Sequence, residues 1–296
     1  MPKKGYHYPL PYAEKASNQA KSHLVVGMSR LVLQETQEYP LPSPVGFKGL
    51  LRGKVAIITG ASRGIGATAS HIFADAGAMV VLAARDEQKM ESVADTIIEN
   101  GGKAIVIPTD VTNPRSVENL VHETLKTYAR LDVAFNNAGD SHVPTALADL
   151  KIDDFDRVVT TNLRGVFLSM KYEIPAMLKN HGGAIVNMSS TAGLNGVKGL
   201  ADYSAAKHGI IGLTKSAALD YAQMNIRVNA IAPGPILNDR IGQLKDRSQI
   251  EQAVPMRRIG TPEEVAFLAA WLCSNQASFI TGATVPIDGG RLAGNP

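Results

Sequence analysis

A single cysteine among 296 residues, Cys273, rules out an intrachain disulfide and a cysteine-rich metal centre. The seven histidines show no HExxH or paired spacing, so no metal is expected. Long apolar runs are missing as well. The longest, "KVAIITGA" and "AMVVLAA", are strand-sized against the ~20 residues that a membrane-spanning helix needs. A net charge of +3 is too small to argue for a nucleic-acid or membrane partner. With 45% hydrophobic and 19% charged residues, the composition is that of a soluble globular protein. Cys273 lies in the apolar helical run "VAFLAAWLCSN" and reads as core filling.

Residues 1–50 differ from the rest. Pro2, Pro9, Pro11, Pro40, Pro42 and Pro44 punctuate them, and "YPLPSPVG" cannot hold a regular helix. No long apolar core marks a secretory signal, and Glu14 with the prolines interrupts any basic amphipathic targeting helix. The expected location is cytoplasmic. The segment reads as an irregular, surface-hugging extension; the sharper alternative is an arm that packs on a neighbouring subunit.

From residue 51 to 296 the pattern is regular. Apolar, β-branched runs ("KVAIIT", "AMVVLAA", "KAIVIPT", "LDVAFN", "GAIVNMS", "IRVNAI", "GATVPID") alternate with helix-length stretches near 64–77, 86–101, 113–129, 151–180, 202–224 and 262–274. Strict strand–helix alternation predicts one α/β domain, a parallel seven-stranded sheet with helices on both faces. Ligands of such sheets bind beyond the carboxyl ends of the strands.

Those ends carry the informative residues. "ITGASRGIGA" spaces Gly60, Gly64 and Gly66 as G-x-x-x-G-x-G, letting the backbone approach a pyrophosphate at a helix N-terminus. Where an NAD site commonly places an acid, "VVLAARDEQ" offers Ala84 and then Arg85. Arg85 can pair with a 2′-phosphate, with Arg63 as a second cation, which favours NADP(H). Arg85 as a merely solvated charge is the alternative. Asp86 keeps NAD(H) open, although it also suits the N-cap of the next helix. In "PTDVTNP", Asp110 and Val111 suit the adenine; the rival reading is a turn before a helix capped near Thr112 or Asn113. "FNNAG" brings Asn137, Ala138 and Gly139 to the same crevice.

"TGASRGIG" (59–66), "DVT" (110–112), "NNAG" (136–139), Asn162 in "TTNLRGVF", "IVNMSS" (185–190), "YSAAK" (203–207) and "VNAIAPG" (228–234) occur in that order and span nearly all of 51–290. Together they resemble the short-chain dehydrogenase/reductase family in its shorter single-domain form. The resemblance implies a Rossmann-type doubly wound fold and a nicotinamide cofactor held by Ser62, Arg63, Ile65 and the three glycines. Tyr203 would exchange a proton with the substrate oxygen. Lys207, on the same helix face, would lower the phenol's pKa and contact the nicotinamide ribose. Ser190 would hold the substrate oxygen, and Asn162 a water in the proton relay. Ser189 competes with Ser190, but neighbouring strand residues face opposite ways and the family spacing selects Ser190. Pro233, Gly234 and Ile236 would wrap the nicotinamide, while Asn238 replaces a threonine that many relatives have.

The expected substrate is a secondary alcohol/ketone pair, with a cyclic alcohol, a sugar or a 3-oxoacyl thioester as alternatives. His142, Val143, Asn195, Val197 and Met256 are candidate pocket walls, and residues near 235–256 a substrate loop. A nucleotide-sensing regulator would not need the Tyr203 group, and a sugar-nucleotide epimerase usually has a larger C-terminal region. Relatives commonly form tetramers through the helices near 155–180 and 202–224, which implies a homotetramer.

Overall fold

The computed structural model describes residues 47–294, so most of the expected extension lies outside the described residues. The chain runs β1 (Val55–Thr59), α1 (Gly64–Asp75), β2 (Met79–Ala84), α2 (Glu87–Glu99), β3 (Lys103–Pro108), α3 (Pro114–Tyr128) and β4 (Val133–Asn136). It continues through α4 (Ile152–Val159), a π-helical turn (Thr160–Arg164), α5 (Gly165–Lys179), β5 (Gly183–Met188), α6 (Ala201–Tyr221) and β6 (Ile226–Pro233). Two short helices, α7 (Asp239–Gly242) and α8 (Ser248–Gln252), precede α9 (Pro262–Cys273) and β7 (Thr284–Ile287). The seven strands are parallel in the order β3-β2-β1-β4-β5-β6-β7. The order reverses between β1 and β4, which opens a crevice at their carboxyl ends.

Strand alternation divides the interior in two. In β1, Ala56 and Ile58 join a core with α1, α2 and α9, where Phe73 stacks on Phe135 at 6.1 Å. Val55 and Ile57 point the other way, into a core with α3, α5 and α6. Cys273 is buried in the first core, as expected from its apolar run, and burial pushes its thiol up to about 12.

Capping residues set where the helices begin. Asn113 Oδ1 accepts the Arg115 N–H at 3.0 Å ahead of Pro114, so Asn113 caps α3. Thr261 and Glu264 form a reciprocal capping box on α9. The stretch expected as one helix over 151–180 is continuous but holds an extra residue in its π turn, and Asn162 sits there.

Candidate active site

The crevice is built outward from Thr59, the last residue of β1. Its hydroxyl oxygen accepts the N–H groups of Asn137 and Ala138 at 3.0 and 3.1 Å, and Asn137 Nδ2 donates back to the Thr59 carbonyl at 3.0 Å. The "NNAG" segment is thus fastened to the glycine turn. Gly60 has φ +70, and a Cβ on Gly66 would stand 2.1 Å from the Gly60 carbonyl oxygen. Only a bare backbone lets turn and helix press together like this. Helix α1 has no acid in its first turn, and its N-cap, Arg63, makes no side-chain cap bond. Its first N–H groups and positive dipole end therefore suit an anion, so the turn fits a dinucleotide pyrophosphate.

Two adjoining cavities follow this edge. One, of about 420 Å³, is lined by Gly60, Ser62, Arg63, Arg85, Asp110 and Val111, with Lys89 and Thr109 as residues the sequence analysis did not single out. Asp86 Oδ1 caps α2 by accepting the Lys89 N–H at 3.2 Å, and Lys89 Nζ lies 2.9 Å from Oδ2. The Lys89 bonds hold the Asp86 carboxyl below its ordinary value. This is the N-cap reading of Asp86, and its spacing to Lys89 was the signal for the extra cation. Asp110 lines the cavity, and it also makes the turn of its rival reading, with Oδ1 accepting the N–H and hydroxyl of Thr112 at 2.9 and 2.8 Å.

The second cavity, of about 780 Å³, brings together Gly64, Ile65, Asn137, Gly139, Asn162, Ser190, Tyr203, Lys207, Pro233, Gly234 and Ile236. Gly66 is buried beneath the turn and lines neither cavity.

Tyr203 and Lys207 stand one turn apart on α6, with Nζ 5.4 Å from the ring centroid. Lys207 is buried, donates to the Met188 carbonyl at 2.8 Å, and is held down to about 7 by that burial. Burial raises the Tyr203 phenol, and a hydrogen bond with Ser190 opposes it. Desolvation thus works against the lowering expected from Lys207, which is not among the contacts that oppose it here. Ser189 and Ser190 divide as strand alternation requires. Ser189 Oγ is buried and donates to the Lys207 carbonyl at 3.0 Å, whereas Ser190 meets Tyr203.

Asn162 is fully buried, with Nδ2 donating to the carbonyls of Asp140 (2.8 Å) and Val158 (2.9 Å). Both side-chain N–H groups are committed to the backbone, while Oδ1 accepts the Asp140 N–H at 3.4 Å and keeps a lone pair that could meet a relay water.

The candidate pocket walls need correction. His142, Val143, Asn195, Val197 and Met256 do not line the catalytic cavity; Asp140, Ser141, Ile241 and Gln243 do. Val143 and Met256 are exposed, and His142 Nε2 lies 2.8 Å from Asp202 Oδ1. Asn238 lines the cavity and caps α7 by accepting the Ile241 N–H at 2.9 Å, which brings Ile241 and Gln243 to the wall. Asp239 in the same turn lies 3.7 Å from Arg63. Among the described residues no cluster of metal ligands occurs, and no helix is long and apolar enough to cross a membrane.

Comparison with known proteins adds independent findings. A family model described as "Enoyl-(Acyl carrier protein) reductase" matches residues 60–291. The chain is 41% identical to a cyclohexanol dehydrogenase of Acinetobacter sp., over 80% of this chain and 94% of that protein. It is 42% identical to an A-factor type gamma-butyrolactone 1'-reductase (1S-forming) of Streptomyces virginiae, covering 82% and 97%. A 3-oxoacyl-[acyl-carrier-protein] reductase of Synechocystis is 43% identical, covering 82% and 98%. The crystal structure of a short-chain type dehydrogenase/reductase from Mycobacterium marinum superposes with a TM-score of 0.79 at 36% identity, covering 84% of this chain and 98% of that one. Because the likeness runs through the whole sheet and is not confined to the glycine turn, the chain belongs to the short-chain dehydrogenase/reductase family.

Proposed function

We propose that this protein is an NADP(H)-dependent oxidoreductase that interconverts a secondary alcohol and its ketone, with Tyr203 as proton donor and acceptor. The observation that carries the reading is the meeting of Tyr203, Ser190 and Lys207 in a cavity that continues into the nucleotide turn. Relatives named for a cyclohexanol and for an A-factor type gamma-butyrolactone support the substrate class. Arg63 and Arg85 would hold a 2′-phosphate, Gly60 and Gly64 with the α1 N–H groups the pyrophosphate, and Asp110 and Val111 the adenine. Asn137 to Gly139, Lys207, Pro233, Gly234 and Ile236 would hold the nicotinamide half.

When bound, the nicotinamide donates or accepts the hydride. The chain's own residues manage the proton and the charge. In the reducing direction the Tyr203 O–H gives its proton to the carbonyl oxygen as that oxygen gains charge. The Ser190 hydroxyl donates a hydrogen bond to the same oxygen. Lys207 supplies positive charge beside the phenolate left behind. Oxidation of the alcohol runs the same transfers backwards.

A second reading, 3-oxoacyl thioester reduction, is favoured by the Synechocystis relative. One kinetic comparison tests both: turnover with NADPH and with NADH over cyclic ketones, acyclic ketones and a 3-oxoacyl thioester. The proposal expects ketone reduction with NADPH preferred, and loss of turnover in Tyr203→Phe. Preference for NADH sinks the cofactor assignment; unaltered turnover in Tyr203→Phe sinks the role of Tyr203. The protein is further proposed to be a homotetramer, since Ile152, Phe155, Phe167 and Leu219 leave apolar side chains exposed on α4, α5 and α6. A monomeric mass by light scattering would refute that.

A further inference from the structure

One charged pair outside the groups already given a part joins the substrate-side loop to the catalytic helix. His142, in the loop after β4, places Nε2 2.8 Å from Asp202 Oδ1 and Nδ1 2.6 Å from the Val143 carbonyl oxygen. A carboxylate and a carbonyl only accept, so both ring nitrogens must donate, and only the imidazolium has two N–H groups. The surroundings favour that form. The Asp202 bond and then the Val143 carbonyl raise His142 above 6.5, and Asp154 on α4 adds negative charge. Arg157, the cation on α4, is paired with Asp140 and Asp154.

Asp202 itself is fully buried in the first turn of α6. Its Oδ1 also accepts the Tyr203 N–H at 2.8 Å, while Oδ2 has no hydrogen-bond partner among the described residues. A buried carboxylate so placed needs a counter-charge beyond the helix dipole. The Thr145 N–H donates to the Gly199 carbonyl at 2.8 Å, so loop and helix entry are already in register for such a contact.

We propose that His142 is a positioning residue that acts as the imidazolium, neutralising Asp202 and clasping the substrate-side loop to the turn from which Tyr203 projects. Loss of the ring proton leaves one nitrogen facing an oxygen as acceptor against acceptor and removes the cation from Asp202. The clasp therefore opens as pH rises, and the substrate side loosens while the nucleotide side keeps its own anchors. The kinetic consequence rests on Tyr203 being the proton donor of ketone reduction; the clasp itself does not.

Two measurements on the full chain test this. In 15N-histidine NMR, with His142 assigned by the signal lost in His142→Gln, both ring nitrogens should stay protonated past pH 6.5. The midpoint should fall in Asp202→Asn. In steady-state ketone reduction at saturating NADPH, wild-type KM should climb through that same midpoint. In His142→Gln, whose amide donates without titrating, KM should be raised by roughly tenfold at low pH and lose its pH dependence, with kcat changing less. A midpoint at or below 6.5, or one unmoved by Asp202→Asn, overturns the clasp. Superimposable KM profiles of wild type and His142→Gln overturn the positioning role. Absence of any ketone turnover in wild type counts against the oxidoreductase reading, and the ring titration still decides the clasp.

Discussion

The Ser189 hydroxyl donates to the main-chain carbonyl of Lys207 at 3.0 Å, so the end of β5 is stitched to α6 at the residue whose ammonium enters the cavity. The adjacent Ser190 reaches Tyr203 instead. Two neighbouring serines thus perform different work. Ser190→Ala should lower kcat on the order of 100-fold or more, by removing a donor aimed at the substrate oxygen. Ser189→Ala should mainly cost about 1 kcal/mol of stability by removing the hydrogen bond that ties the end of β5 to α6. Steady-state kinetics and denaturant titration of the two variants separate these effects; equal losses of kcat would contradict the division.

Glu173 on α5 is buried, and its Oε2 accepts from Asn136 Nδ2 at 3.0 Å. Burial raises its carboxyl from 4.5 to about 7. Its Oε1 and the Asn136 Oδ1 both lack partners among the described residues, which a carboxyl proton would remedy on one side. The folded state holds that proton more tightly than the unfolded chain does. Stability is therefore fullest below 4.5 for this group, and is lost as pH rises through about 7. The loss is on the order of 3 kcal/mol. Glu173→Gln should remove that slope; melting curves of both proteins over this pH range would reveal an unchanged slope if the idea fails.

Arg85 is exposed and lines the nucleotide cavity beside Arg63 and Lys89. Arg85→Ala should raise KM for NADPH by about tenfold and leave KM for NADH within about twofold, as expected when one charge-assisted contact to a phosphate is lost. Parallel increases for both cofactors would place Arg85 outside 2′-phosphate recognition.

Gly66→Ala would drive a methyl group to 2.1 Å from the Gly60 carbonyl, and backbone there cannot yield cheaply. The variant should lose dinucleotide binding by isothermal titration and melt several degrees lower, since overpacking costs roughly 1–3 kcal/mol. Normal binding would show the turn to be looser than described.

The parallel sheet and most element boundaries were legible because periodicity and caps are local signals, as Asn113 and Asp86 illustrate at the starts of α3 and α2. The order of the strands, set by pairing between distant segments, was not. The cavity residues were legible because they end strands or follow the glycine turn. The pocket walls were not. Whether His142 faces substrate or Asp202 depends on a contact across 60 positions, which no spacing rule encodes. The buried Asn136–Glu173–Asn187 network was equally silent, for it is a product of β4, β5 and α5 packing together. Lys89 lay nearer to view, three residues after the capping acid, yet its approach to the cavity follows from the direction of α2.

The π turn at Thr160–Arg164 makes residue number itself a heritable quantity. Each residue advances a regular helix by about 100°, and the π turn takes up one extra residue without turning α5 off its face. Val166, Met170, Ile174 and Met177 therefore stay on the core that they fill. A one-residue deletion inside the π turn would close it into a regular turn and draw Asn162 out of its present place while leaving that apolar face in register. The same deletion farther along α5 has no such slack and would turn every later core residue off the sheet in one step.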